Sequence, residues 1–249
     1  MLRKHLCYLL CTLVLAGCAS TQSEPQTELN DPLESVNRSV WDFNYDILDK
    51  HILRPTALAY QKYMPMPVRI GLVNMSSNLE APSSMINNLL QAKPKEAATS
   101  AGRFLLNSTV GLLGLVDVAG YIGLKPEEEE FDEVLGKWGV STGPYLMLPA
   151  YGPSVPRELA GDVVDSAYFP LDGLTIWLSA FRFGIDALES RIQVIPQEQL
   201  LEDSFDPYIF VKEAYFQNTQ FKVYDGDPPR PKVEEAEEAD FDAFLQGLE

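Results

Sequence analysis

Prolines recur along this chain at a spacing that forbids long uninterrupted helices. Pro55, Pro65, Pro67, Pro82 and Pro94 each stand where a helix could begin, because the pyrrolidine ring removes an N–H that only the first helical turn can spare. The pieces between them predict helices over 55–63, 67–79, 82–91 and 94–110. Several span only about 10–14 residues, too short to cross a bilayer upright but long enough to lie in its interface. A soluble bundle of helices fits the same spacing.

The flanking segments carry the same helical signal. At Asp31-Pro32-Leu33-Glu34 a capping aspartate precedes a first-turn proline and an acidic third position, a helix start. Leu33, Val36, Val40, Phe43 and Ile47 then recur at three- and four-residue steps and share one face. Further helices are predicted from Arg157 through Tyr168, from about Leu171 to Ile195 and, after the cap Asp206-Pro207, to Phe221. The fold class read from this pattern is all-α.

Two stretches break the pattern. Phe104 to Leu124 is long and apolar enough to suggest a membrane span. Asn107, Ser108, Thr109 and Asp117 are costly in lipid and its glycines weaken a continuous helix, so two helical pieces with a bend are predicted instead. Residues 136–156 gather Gly136, Gly139, Gly143, Pro144 and Gly152 around Tyr145-Leu146-Met147-Leu148. Such a stretch is not expected to be helical and reads as a loop or bent hairpin, of the kind that is usually functional.

The first residues read as a secretory signal: Arg3 and Lys4, an apolar run from Leu6 to Leu15, then Leu15-Ala16-Gly17-Cys18. That ending resembles the lipobox of bacterial lipoproteins, which implies cleavage after residue 17 and acylation of Cys18; Ala19 behind it favours delivery to the outer membrane. All three cysteines (Cys7, Cys11 and Cys18) lie in this segment, so the mature chain has no internal disulfide. Residues 18–30 read as a polar tether, 31–224 as the helical domain and 225–249 as an acidic, solvated tail.

Charge and motif content narrow the function. The formal net charge is −17, from 19 basic and 36 acidic residues, and loss of Arg3 and Lys4 takes it to −19. A polyanion such as nucleic acid is excluded as a partner on that ground. The mature chain retains one histidine, His51, with no Gly-x-Ser-x-Gly elbow, no His or Cys cluster for a metal, no Walker A sequence and no dinucleotide fingerprint. No enzymatic activity and no cofactor are expected, and Glu127 to Glu130 read as a solvated face. Arg182 stands out within the apolar run from Leu174 to Ile185. A guanidinium there must snorkel, pair with Asp186 or meet an anion such as a phosphate headgroup.

An ordered series of short motifs runs from residue 31 to about 220: Asp31-Pro-Leu-Glu-Ser-Val-Asn37-Arg38, Phe43-Asn44, Arg54-Pro55, Arg69-Ile-Gly-Leu-Val-Asn74, Asn78-Leu-Glu-Ala-Pro82, Arg103-Phe-Leu-Leu-Asn107, Gly114-Leu-Val-Asp117, Gly143-Pro144-Tyr145-Leu146 and Asp206-Pro-Tyr208 with Glu213-Ala-Tyr215. The series resembles the MlaA family, also called VacJ, of outer-membrane lipoproteins. The chain departs from it at Asp132-Glu133-Val134, where the family usually reads Gly-x-Thr, and in the acidic tail. The resemblance implies short interfacial helices forming a ring or disc in the periplasmic leaflet around an amphipathic channel. It implies passage of phospholipids to a periplasmic carrier of the MlaC type, with a trimeric porin of the OmpC/OmpF type as partner. Arg182, Asn37, Arg38 and Phe43 become candidates for the lipid path, and Gly136, Gly139, Gly143, Pro144, Tyr145 and Gly152 for a gating loop. A porin-associated scaffold without a channel of its own is the other reading, and a phospholipase is a third.

Overall fold

The computed structural model describes residues 31–168 and 176–229, which belong to one compact unit running from Asn30 to Pro229. The signal segment, Cys18, the tether, the start of the helix expected near Leu171 and the tail from Arg230 lie outside the described residues. The chain runs through α1 (Glu34–Asp42), a π-helical stretch (Phe43–Leu53), α2 (Arg54–Tyr63), α3 (Met66–Leu90), α4 (Pro94–Thr109), α5 (Val118–Tyr121) and α6 (Phe131–Lys137). A hairpin of β1 (Leu146–Leu148) and β2 (Gly152–Ser154) follows, then α7 (Pro156–Tyr168), α8 (Ile176–Val194), a 3-10 turn (Ile195–Gln197), α9 (Glu198–Glu202) and α10 (Pro207–Val223). The two strands are antiparallel, with Leu146 opposite Ser154 and Leu148 opposite Gly152. The all-α expectation holds, with this hairpin as the one sheet among the described residues.

Prolines predict most boundaries, and the structure corrects two. Pro82 lies inside α3 and does not start a new helix, so the helices expected over 67–79 and 82–91 are a single one of 25 residues. A mid-helix proline forfeits one ladder bond; contacts of Ser83, Asn87 and Asn88 beyond it hold the helix together. Pro55 likewise causes no break. The chain widens into the π-stretch, where the Arg54 N–H donates to the Asp49 carbonyl five residues back, and α-geometry resumes at the proline. His51 therefore sits, exposed, within a continuous helical run.

The expected cap at Asp31 is a third correction. Leu33 precedes the first turn and no side chain caps it. The Asp31 carboxylate is taken by tertiary donors, accepting from Asn37 Nδ2 at 2.8 Å, the Tyr208 hydroxyl at 2.5 Å and Lys212 Nζ at 3.2 Å. Asp206 does cap α10 as predicted, accepting from the N–H groups of Tyr208 and Ile209. The 104–124 run divides as expected: α4 stops at Thr109, and Leu112, Leu113 and Gly114 turn the chain with positive φ before α5. None of the described helices is long and apolar enough to cross a membrane.

Burial runs against the usual order. Among the described residues 12 hydrophobic residues are buried, against 18 polar or charged ones, while 32 large apolar or aromatic side chains are exposed. The main apolar centre is small. Tyr145 on the hairpin arm is fully buried, and its ring meets those of Tyr208, Tyr215 and Phe216 on α10 at 5.8 to 6.0 Å. The face of Leu33, Val36, Phe43 and Ile47 looks outward. Each such side chain forgoes roughly 1.5–3 kcal/mol of burial if it faces water. An apolar surrounding removes that penalty, and so many outward apolar side chains mark an interaction surface.

Candidate functional site

The central helix α3 packs against α4 on one side and α8 on the other, and its composition explains how it can do so. Its buried residues are Arg69, Gly71, Ser76, Asn78, Ser83, Ser84, Asn87 and Asn88, with no apolar side chain among them, whereas Met66, Val68, Ile70, Leu89 and Leu90 are exposed. Ser76, Glu80, Ser83 and Asn87 recur at helical spacing and form a polar seam.

Other helices supply charges along that seam. Ser76 Oγ donates to Asp186 Oδ2 of α8 at 2.9 Å, and Arg182, one turn earlier on α8, donates from Nη1 to Glu80 Oε1 at 2.7 Å. Arg182 thus meets Glu80 of a different helix and not Asp186 of its own. Ser83 Oγ and Asn87 Nδ2 both donate to Asp165 Oδ1 of α7, at 2.5 and 2.7 Å, and Asp165 Oδ2 accepts from the Phe131 N–H. Burial pushes the Glu80 carboxyl above its ordinary range, the Arg182 guanidinium opposing and the Asp186 and Glu128 carboxylates adding to the rise. Yet 49% of the Glu80 side chain is open to solvent.

At one end of the seam the buried Arg69 guanidinium forks onto Glu189, from Nε at 2.8 Å and Nη2 at 2.6 Å. At the other, Glu129 is buried and accepts from Gln91 Nε2 and Lys93 Nζ, each at 2.5 Å. The 127–130 run is therefore not a uniformly solvated face. Carboxyl oxygens of Glu130, Asp132 and Glu133 also lie within 4.8 Å of one another; Lys222 bonds Glu130 at 2.9 Å, and Arg157 stands 3.6 Å from Asp132.

Of the residues expected on the lipid path, Arg182 alone contacts this seam directly. Asn37 and Arg38 join a second cluster. Asn37 is buried, donates to the Tyr145 carbonyl at 3.0 Å and accepts from the Met147 N–H at 2.9 Å. Arg38 lies 4.4 Å over the Tyr208 ring and donates to both oxygens of Asp206. Phe43 is exposed on the outer surface.

The loop residues divide similarly. Gly136 lies inside α6, where the reciprocal capping of Glu130 and Glu133 starts the helix and carries it to Lys137, so the non-helical expectation fails at its first two residues. Gly139, Gly143 and Gly152 hold positive φ; Tyr145, next to the half-buried Pro144, belongs to the aromatic centre. The seam itself was missed by sequence reading. Its signal, Ser76, Ser83, Asn87 and Asn88 on the inner face of an otherwise apolar helix, emerges only when Pro82 is placed within the helix.

The sequence matches the MlaA lipoprotein family over residues 29–222. An intermembrane phospholipid transport system lipoprotein MlaA from Escherichia coli K12 is 41% identical over 87% of this chain and 87% of its own length. Its counterpart from Haemophilus influenzae is 37% identical over 97% and 96%. A solved structure described as the basis for maintenance of bacterial outer membrane lipid asymmetry superposes with a TM-score of 0.74 at 45% identity, covering 78% of this chain and 98% of its own. The chain belongs to the MlaA lipoprotein family.

Proposed function

We propose that this chain passes phospholipids from the outer leaflet of the outer membrane, along the polar seam of α3, toward a periplasmic carrier of the MlaC type, and so maintains lipid asymmetry. One observation carries the reading: no apolar side chain is fully buried on α3, while large apolar side chains crowd the outward faces of the helices. A phospholipid leaving its leaflet must take a charged headgroup past hydrocarbon, and an unpaired ion there costs several kcal/mol. The polar side chains of Ser76, Glu80, Arg182 and Asp186, paired across α3 and α8, lower that barrier without a chemical step, so no catalytic residue and no cofactor is required. The protein sits in the periplasmic leaflet, acylated at Cys18, with its exposed apolar side chains in lipid or against a trimeric porin of the OmpC/OmpF type. Gly139 and Gly143 before the hairpin and Gly152 at the start of β2, whose positive φ values allow bends that other residues resist, act as hinges of this loop.

The test is a charge swap in cells. Arg182→Glu is expected to raise surface-exposed phospholipid, read by its susceptibility to added phospholipase, and Arg182→Glu combined with Glu80→Lys is expected to lower it again. Unchanged surface phospholipid in the single variant, with the protein still made and bound to porin, would favour a scaffold and remove Arg182 from the path. Release of fatty acid by the purified protein would instead point to a phospholipase.

A further inference from the structure

Asn74 and Asn78 lie on the flank of α3 turned away from Ser76 and Glu80, since residues two apart on a helix point to nearly opposite sides. There α3, α4 and the chain between residues 110 and 128 enclose a partly open cavity of about 100 Å³, lined by Asn74, Asn78, Arg103, Asp117, Glu127 and Glu128 among others. The turn at Gly114 packs against Asn78, one of these lining residues. With φ at +91° it brings its backbone so close that a Cβ would stand 2.7 Å from that of Asn78, which only glycine tolerates.

The cavity is poor in available donors and rich in acceptors. Arg103 is engaged by the Leu124 carbonyl at 2.5 Å and by Asp117 at 3.1 Å, and that ion pair offsets both charges. Asn78 is buried and donates to Ser108 Oγ, while its Oδ1 has no hydrogen-bond partner. Among the described residues neither the Glu127 nor the Glu128 carboxylate has a hydrogen-bond or ion-pair partner, which leaves net negative charge on the lining. An alkylammonium group is the complement: it has one positive charge, three donors and no acceptor. Size agrees, because a cavity of about 150 Å³ holds benzene and this one suits a group of three or four heavy atoms.

We propose that this cavity receives the ammonioethyl end of a zwitterionic phospholipid headgroup, so that the protein favours phosphatidylethanolamine over the anionic phosphatidylglycerol. The inference rests on the reading of the chain as a phospholipid conduit and adds a headgroup preference to it. Glu128 links cavity and seam, since its charge is felt at Glu80.

The test uses the full acylated protein in detergent, equilibrated with vesicles of equimolar phosphatidylethanolamine and phosphatidylglycerol, with retained lipid counted by mass spectrometry. Wild type is expected to enrich phosphatidylethanolamine about fivefold, the ratio that ~1 kcal/mol of charge pairing gives. The Glu127→Gln, Glu128→Gln double variant, altered at side chains without folded-state partners, is expected to retain the two lipids at the vesicle ratio. Wild type at the vesicle ratio, or a double variant that still enriches, overturns the headgroup preference alone. Wild type that retains neither lipid overturns the conduit reading and this inference together. Loss of enrichment on adding putrescine at the lipid's concentration would put a soluble amine in the cavity and overturn the lipid as its occupant.

Discussion

Asn37 and Asn44, seven residues apart in one continuous helical run, hold the two ends of strand β1 by the same device. Asn37 donates to the Tyr145 carbonyl and accepts from the Met147 N–H; Asn44 donates to the Leu148 carbonyl at 2.8 Å and accepts from the Ala150 N–H at 2.9 Å. Each side-chain amide thus imitates a neighbouring peptide group. β1 has a strand partner on one edge only; Asn37 satisfies backbone groups on the other, and Asn44 bonds those at the turn that follows the strand.

Asn37→Ala leaves a buried carbonyl and a buried N–H unpaired, so a loss of roughly 2–4 kcal/mol is expected. Asn37→Asp should cost more than Ala, because it loses the donor and sets a carboxylate beside Asp31, now 2.8 Å from Asn37 Nδ2. Asn44→Ala, half-buried, should cost less. Thermal unfolding in detergent, followed by fluorescence of the nearby Trp41, ranks the three; an Asn37→Ala midpoint equal to wild type would refute the clamp.

The Arg69–Glu189 pair predicts a different signature. Both side chains are about nine-tenths buried, and removing one partner strands a charge, at a cost of about 3–5 kcal/mol. Arg69→Met and Glu189→Met should each destabilise strongly, and the double variant far less than their sum. Arg69→Lys should not rescue, since an ammonium cannot reproduce the fork. Additive single effects in a double-mutant cycle would refute the coupling.

Acid stability follows from the same arginine contacts. The Arg69 fork holds the Glu189 carboxyl below its ordinary 4.5 against the effect of burial, and Arg54, with Arg191 assisting, holds Glu198 down at about 2. A carboxyl depressed by folding contributes stability that is present above its unfolded value and lost as pH falls through the folded one. Stability should therefore decline from pH 4.5 toward 2, and Glu198→Gln should flatten part of that decline.

Glu133 carries the opposite sign. Burial pushes its carboxyl up to about 9, with the Glu129 carboxylate adding to the rise. Its contribution is fully present below the ordinary 4.5 and is lost as pH rises toward 9, because the folded state must then ionise a buried acid. Glutamine keeps an oxygen for the Glu130 N–H, which Glu133 Oε1 accepts at 3.4 Å. Glu133→Gln should match wild type near pH 4.5 and exceed it at pH 8, by ~1.4 kcal/mol for each pH unit of displacement. A variant less stable than wild type at pH 8 would refute the buried-acid account.

The elements most legible in the sequence are those fixed by local chemistry. Proline and an aspartate cap set the start of α10, Pro94 sets that of α4, and the polar residues of 107–117 argue correctly against a single span because Asn107 and Asp117 bond each other at 2.9 Å on folding. Features fixed by distant partners were not legible. Asp31 has the spacing of a cap, but Tyr208 and Lys212, nearly 180 residues on, claim its carboxylate. Arg182 was recognisable as a charge in need of a partner, yet which carboxylate meets it depends on how α3 lies against α8. Pro82 misled for a related reason: side-chain bonds from α3 to the 127–129 backbone and to Asp165 outweigh one lost ladder bond.

Glycines that look alike in the sequence should respond differently to alanine. Gly136 has helical geometry, and alanine would gain up to about 1 kcal/mol of helix propensity there. Its Cβ, however, would stand 2.6 Å from Val223 Cγ2 and 3.0 Å from Arg157 Nη1, and overpacking of this kind costs roughly 1–3 kcal/mol. Gly152 has open space around a Cβ but a φ of +105°, where an L-residue pays in backbone strain, about 1–2 kcal/mol. The two substitutions are thus similar in cost and distinct in cure. Val223→Ala should rescue Gly136→Ala, because it removes the methyl groups that the new Cβ strikes, and should leave Gly152→Ala unchanged. Trimming Val223 relieving both variants, or neither, would refute the division of these glycines into a packing site and a bending site.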